Sequence, residues 1–433
     1  MGHSGAVRTR AAIGLGILML AFGRDANAQT WTSTELTPPL YDRGRNVSVL
    51  QRERPEYNQL GIIMGGFTLD PKLVTDIGYE SNIFANDSHK QGAAVTHINP
   101  SLDTISNWGR HQLRASAGLN IRRDIGHSSE DELGWYSRLF GRLDVHGESF
   151  LTASADAARQ YQERTTPDFP LIAVKPIPYN TAGGTIEGVY QQDRLRASLG
   201  GDIHNFTFSN VPIVGGGTLD NSGRDNVFYR GQARFDFALT PDKALFISPD
   251  ITRTDYQHSG GVFGPSRSST QYSVLGGATF DVTALMRGEI GIGYASRNYR
   301  AIYGHISGLA LSSKIEYFPT QLTTFTFQAH RVVNDSVLNG AAGYFDTGAS
   351  LRVDHELRRN VLINLAGSGD SLDYRGIGRT DRVYGVTGGA TYLVSHFVGL
   401  NTTISYLQRT SFGPVAAPKY HDVVFGIGLT LQR

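Results

Sequence analysis

From Phe67 onward, apolar and polar residues alternate along the chain with a period of two. Between Phe67 and Glu80, the residues Phe67, Leu69, Leu73, Ile77 and Tyr79 share one face, and Asp70, Lys72, Asp76 and Glu80 share the other. Residues 230–239 set Gly231, Ala233, Phe235, Phe237 and Leu239 against Arg230, Arg234 and Asp236. Residues 309–317 set Leu309, Leu311, Ile315 and Tyr317 against Lys314 and Glu316. Residues 345–354 set Phe345, Ala349, Leu351 and Val353 against Asp346, Arg352 and Asp354. Successive side chains of a strand point to opposite faces, so alternation over roughly ten residues predicts half-exposed strands. A helix would scatter these residues around a cylinder. The last residues keep the pattern: Phe425, Ile427, Leu429 and Leu431 alternate with Gly426, Gly428, Thr430 and Gln432. A strand left at the edge of an open sheet is an aggregation hazard, so either a partner covers this one or the sheet closes on itself.

The connections decide between these. Short turns fall at 106–111, 146–149, 191–194, 240–243, 283–285, 318–321, 357–360 and 395–397. Longer polar, Gly- or Pro-rich segments lie between them, at 122–132, 165–180, 210–225, 257–269, 297–304, 334–343, 375–381 and 411–419. A soluble sandwich or propeller has no reason to sort its loops at every second turn. A transmembrane barrel does, with short periplasmic turns, longer outer loops and an even strand number. The expected fold is all-β, a transmembrane antiparallel up-and-down barrel of about 18 strands, with about 16 as the alternative. Strands of roughly 11–14 residues suit a tilted crossing. The last strand should pair with the one starting near Phe67, turning Phe425, Ile427, Leu429 and Leu431 toward lipid.

The first residues read differently. Arg8 and Arg10 precede an apolar stretch over 11–23, and Ala26-Asn27-Ala28 follows as a cleavage site, so residues 1–28 are expected to be a secretory signal peptide. Residues 29–66, with Pro38, Pro39 and Pro55, do not alternate. They are expected to form a periplasmic N-terminal segment, disordered or lying in the lumen, ahead of a barrel over 67–433. Glycine is 51 of 433 residues, roughly 12% against a usual ~7%, and charged residues are 18% against a usual ~25%. This composition suits closely packed strands. There is no cysteine and hence no disulfide framework or thiolate metal site. Cleavage after Ala28 would move the formal charge from +1 to −1 by removing Arg8, Arg10, Arg24 and Asp25, so nothing argues for a nucleic-acid partner.

One stretch resembles a known family. In 52–87, Arg54-Pro55-Glu56-Tyr57 with Gly61-Ile62 precedes a strand ending in Gly78-Tyr79 and Asn82-Ile83, a pattern similar to the start of a bacterial family of β-barrel porins. Residues 98–118, 317–331 and 353–368 match it further, so the resemblance covers nearly the whole chain after the signal peptide. It implies a porin of the Gram-negative outer membrane, and because some members are associated with exopolysaccharide export, a conduit for polysaccharide or its fragments, with periplasmic export components as partners. The assembly machinery would read the C-terminal strand. Many such barrels finish on an aromatic residue, whereas this chain finishes Leu431-Gln432-Arg433.

Candidate chemistry follows from the faces. Arg114, Arg138, Arg142, Arg230, Arg234, Lys314 and Arg352, with Asp70, Asp76, Asp236, Asp250, Glu316 and Asp354, are predicted to line the lumen. Charges toward lipid would cost ~2–4 kcal/mol each near the midplane. Such a lining could hold a hydrated solute briefly, or its charges could pair with one another and stiffen the wall. Tyr79, Phe84, Trp108, Trp135, Tyr256, Tyr294, Tyr317, Phe318, Phe397 and Tyr406 are candidates for interfacial girdles. Tyr136 and Phe140 are inward aromatics on which a sugar could stack. The loop 165–180 carries Pro167, Pro170, Pro176 and Pro178 around the apolar Leu171-Ile172-Ala173-Val174. It is a candidate constriction of the mouth. His127 to Asp131 and His258-Ser259 are the only hydrolase-like groupings weighed, and no H-E-x-x-H or G-x-S-x-G is present. The reading is a passive porin, not an enzyme, with no cofactor and no metal ligands assigned. The alternatives are a structural or surface-interaction barrel with a blocked lumen and, behind it, an outer-membrane hydrolase.

Overall fold

The computed structural model describes residues 46–258 and 263–433; the signal peptide, residues 29–45 and Ser259 lie outside them. Eighteen antiparallel strands form the wall. They are β1 Phe67–Glu80, β2 Ala93–Ser106, β3 Gln112–Asp124, β4 Glu132–His146, β5 Ser149–Gln162, β6 Ile177–Gln192, β7 Leu195–Phe208, β8 Asn226–Thr240 and β9 Lys243–Tyr256. There follow β10 Ser269–Val282, β11 Met286–Tyr299, β12 His305–Thr320, β13 Thr323–Asp335, β14 Gly343–Arg358, β15 Val361–Tyr374, β16 Thr380–Leu393, β17 Val398–Phe412 and β18 Tyr420–Gln432. Each strand pairs with its sequence neighbours, and β18 pairs back to β1, Ile77 opposite Ile427 and Tyr79 opposite Phe425. The terminal strand therefore has no free edge. A short strand, Ile62–Met64, folds back on the start of β1.

The period-two pattern divides the side chains between the two faces of the wall. Ile77, Phe235, Phe237, Leu309, Leu351, Ile404, Phe425 and Ile427 are exposed on the outside, whereas Asp76, Asp236, Glu316 and Asp354 are buried within. Packing on the inner face is tight. Phe246 of β9 lies against Gly277 and Gly291, where an added Cβ would stand 2.8 and 3.0 Å from its ring. The Arg234 guanidinium covers the other face of that ring at 3.9 Å.

The turns 107–111, 147–148, 193–194, 241–242, 283–285, 321–322, 359–360 and 394–397 share one end with the start of β1 and the end of β18. The other connections share the opposite end. The sorting by length is less strict than the sequence suggested. Strands continue into the segments around 300 and 378, leaving connections of only 300–304 and 375–379.

The longest parting in the wall lies between β12 and β13. Pairing of β12 with β13 starts only at Leu311 opposite Arg331, leaving 305–310 and 332–335 without mutual register. Phe345 of β14 fills this seam with Tyr299, Ile306 and Val333 and is 2% exposed. Alternation placed Phe345 toward lipid; the parting of two neighbouring strands draws it into the wall instead.

Candidate lumen and its two mouths

The inner wall carries a recurring device, Arg-x-Asp on a single strand. Arg122 pairs with Asp124 (2.7 Å), Arg142 with Asp144 (2.7 Å), Arg234 with Asp236 (2.9 Å) and Arg352 with Asp354 (2.6 Å). Arg379, just ahead of β16, pairs with Asp381 two residues on. Residues two apart on a strand share a face, so each pair closes without help from another strand. The motif stands plainly in the sequence, yet reading these charges one by one hid it.

Other predicted lining residues take partners across strands. Arg114 donates to Asp103 (2.7 Å), Arg234 also donates to Glu289 (2.9 Å), and Glu316 accepts from Arg287 (2.5 Å). Arg230 stands 3.9 Å from Asp250, whose carboxylate also accepts from Thr252 (3.2 Å). Asp76 lies 3.0 Å from His97 Nδ1. Among the described residues, Arg138 and Lys314 have no carboxylate within ion-pair distance. Phe140 is buried and offers no open face to a sugar. Three girdle candidates lie elsewhere. Tyr256 and Phe318 fall on the inward parity of their strands, Phe318 beneath Arg287 at 5.2 Å. Phe84 sits in the loop after β1, edge-on to His127 at 5.6 Å.

At the long-loop end, residues 163–176 leave β5 and reach the far wall. Asp168 accepts from the Val337 N–H (3.0 Å) and the Tyr374 hydroxyl (2.6 Å). The Arg379 guanidinium donates to the Pro167 carbonyl (3.1 Å), and the Tyr420 hydroxyl to the Thr165 carbonyl (3.2 Å). The loop after β5 thus touches strands half the barrel away. Phe169 and Ala173 of this loop pack with Val211, Leu219, Phe263 and Val337 from three other loops and with Tyr179, Phe206 and Phe208 of the wall. The prolines exclude a ladder, and the apolar run supplies the packing.

Two buried charges belong to this end. Arg224 stacks on Phe208 at 4.1 Å and Phe263 at 5.8 Å, and burial pushes its guanidinium down to about 10. Burial raises the neighbouring Asp225 above the usual carboxylate range, against the N–H of Phe208, which donates to it at 2.7 Å. Glu130, in the loop that carries His127, accepts from Arg164 (2.7 Å). That ties loop to loop.

At the short-turn end, residues 46–58 follow the inner rim from β11 to β18. Arg287, fully buried, donates to the Asn46 carbonyl (2.9 Å) and to Gln51 Oε1 (3.1 Å) while holding Glu316. The Val49 N–H donates to Thr324 Oγ1 (3.0 Å). Arg54, 0% exposed, donates to Glu356 Oε2 (2.8 Å). Arg359 donates to the Glu53 carbonyl (2.9 Å) and Gln432 to the Tyr57 carbonyl (3.3 Å). Burial lowers the Arg54 guanidinium below its ordinary value, with Glu356 opposing. Arg54 and Glu356 come from two of the stretches that carried the family resemblance, and they meet as one ion pair.

Among solved structures, the outer-membrane protein OpdK of Pseudomonas aeruginosa is similar over 84% of this chain and 99% of its own, at 11% identity and TM-score 0.46. OpdQ of the same organism is similar over 84% and 98%, at 13% identity and TM-score 0.44, and OpdL over 85% and 99%, at 12% and 0.44. No curated relative matches the chain. A family model described as "Putative beta-barrel porin 2" matches residues 54–433, and the chain belongs to that family of porin-like barrels of the bacterial outer membrane.

Proposed function

We propose that the protein is a passive channel for small hydrophilic solutes whose passage is restricted at both mouths by its own chain. The observation that carries this reading is the loop 163–176 bonded to Tyr374 of β15 and to Arg379 just ahead of β16, about half a barrel from its origin, and to Tyr420 of β18. A polar inner wall with that bridge across it is arranged for restricted passage. A long polysaccharide would need both mouths open together, whereas a small solute can pass them in turn. Short glycans fit the reading better than export of a polymer. The Arg-x-Asp pairs satisfy one another, so selectivity would rest on inward cations without a carboxylate partner, among them Lys72, Arg138, Arg196 and Lys314. No catalytic role is assigned to any residue.

The same bridge favours one second reading, a structural barrel with a blocked lumen. Planar-bilayer recordings separate the two. A channel gives discrete openings that grow when 168–177 is deleted; silence from both folded forms would leave the blocked barrel.

A further inference from the structure

We propose that His330, Asp346 and Asp370 form a binding station for one divalent first-row transition-metal cation on the lumen wall. The three residues come from β13, β14 and β15, and register brings them together. His330 stands opposite Gly348, and Gly348 opposite Asp370. An added Cβ at Gly348 would collide with the Asp370 carboxylate and stand 2.7 Å from the imidazole. The glycine therefore leaves the space in which side chains of the two outer strands meet. Asp346, two residues along, completes the group, and one ligand atom from each residue lies within 4.8 Å of the others.

Two features set this group apart from the other charges on the wall. The first is charge balance. Elsewhere an inward carboxylate commonly faces an arginine two residues away; here, among the described residues, neither Asp346 nor Asp370 has an arginine or lysine within ion-pair distance. His330 Nε2 stands 3.3 Å from Asp346 Oδ1 and 3.8 Å from Asp370 Oδ1. The second is an unmet acceptor. Asp346 is 2% exposed, and its Oδ1 has no aligned hydrogen-bond donor. Its other oxygen accepts from Asn334 Nδ2 (3.2 Å), which fixes the carboxylate with the free oxygen turned into the group. Two carboxylate oxygens and an imidazole nitrogen suit zinc, cobalt, nickel or manganese, with water completing the sphere; calcium and magnesium favour oxygen alone. A divalent cation would also neutralise two carboxylates that nothing else fully balances.

The station needs only solvent access to the wall. Any part it plays in passage rests on the channel reading, and the two are tested apart. The folded, detergent-solubilised protein, stripped with chelator, is titrated with zinc at neutral pH by calorimetry. One zinc per chain is expected, weakened at least tenfold in Asp370→Asn and His330→Ala and unchanged in Asp250→Asn. Heat-dependent gel mobility confirms that each variant is folded. Cobalt gives a second readout: a visible absorption band present in the native protein and altered in His330→Ala. Three outcomes overturn the proposal. They are no saturable zinc binding by the folded native protein, equal binding in Asp370→Asn, and displacement of zinc by an equal concentration of calcium. Zinc binding by a barrel without conductance would overturn the channel and leave the station standing.

Discussion

Opposite physics holds the two segments that lie at the ends of this barrel. At the outer mouth, a proline-rich loop crosses from β5 to the far wall and packs into an apolar cluster drawn from four loops. At the inner mouth, residues 46–58 do not cross; they follow half the rim, fixed by backbone carbonyls, an arginine clamp and the Arg54–Glu356 pair. A bridge held by burial shares its support among several apolar side chains, so no single polar anchor decides it. A strap held by a few buried polar partners is all-or-none, because removing one partner strands the other.

The largest effect tests which face of the wall is the lumen. Ile404 and Ser405 are neighbours near the middle of β17; Ile404 is exposed on the outside and Ser405 faces inward. Ile404→Arg should cost ~2–4 kcal/mol against the lipid midplane and sharply reduce the heat-modifiable folded form recovered from membranes. Ser405→Arg should assemble nearly as well as the native chain. Equal yields would reverse inside and outside, and neither segment would then narrow a lumen.

Deletion of residues 168–177 comes next. It removes the bridge with Phe169, Ala173 and Ile177 of its apolar cluster, and single-channel conductance should rise severalfold. Deletion of 46–58 should raise it less, because the strap hugs the wall rather than spanning the opening. A larger increase from the inner deletion would place the constriction at the wrong end.

The third effect is local. Glu356→Ala leaves Arg54 buried without its partner, a loss of about 3–5 kcal/mol in such pairs, and the strap should leave the wall. Trypsin cleavage after Arg52 in the folded protein, Arg54 being shielded by Pro55, should then accelerate by an order of magnitude or more. Glu356→Gln keeps an acceptor and should show a smaller gain. Unchanged cleavage would mean that the remaining carbonyl contacts hold the strap alone.

The barrel was legible because period-two alternation and the placement of turns are local signals. Even the pairing of β18 with β1 followed from parity and an even count. What stayed hidden depends on register between strands. The seam at β12 and β13 is an absence of pairing, and it buried Phe345 against its parity. Tyr256 and Phe318 were offered as girdle residues from strand-end position alone, although parity turns them inward. The bridge could be anticipated from its prolines and apolar run, but not its anchors on Tyr374, Arg379 and Tyr420, which are some two hundred residues away in sequence. The Arg-x-Asp pairs were the avoidable omission, since spacing and alternation together specify them.

The smallest effect separates the mouths most cleanly. Asp168 is the most polar anchor of the outer bridge, accepting from Val337 N–H and the Tyr374 hydroxyl. Asp168→Asn keeps one acceptor and forfeits a charge-assisted bond, about 1–2 kcal/mol. The apolar cluster is untouched, so mean conductance should change by less than about twofold, with only more flicker in the open level. Phe169→Ala removes a buried ring from the cluster itself, typically about 3–5 kcal/mol, and should open the mouth further than Asp168→Asn does. If Asp168→Asn matched the loop deletion instead, the outer bridge would be a polar latch like the inner strap, and the contrast between the two mouths would be lost.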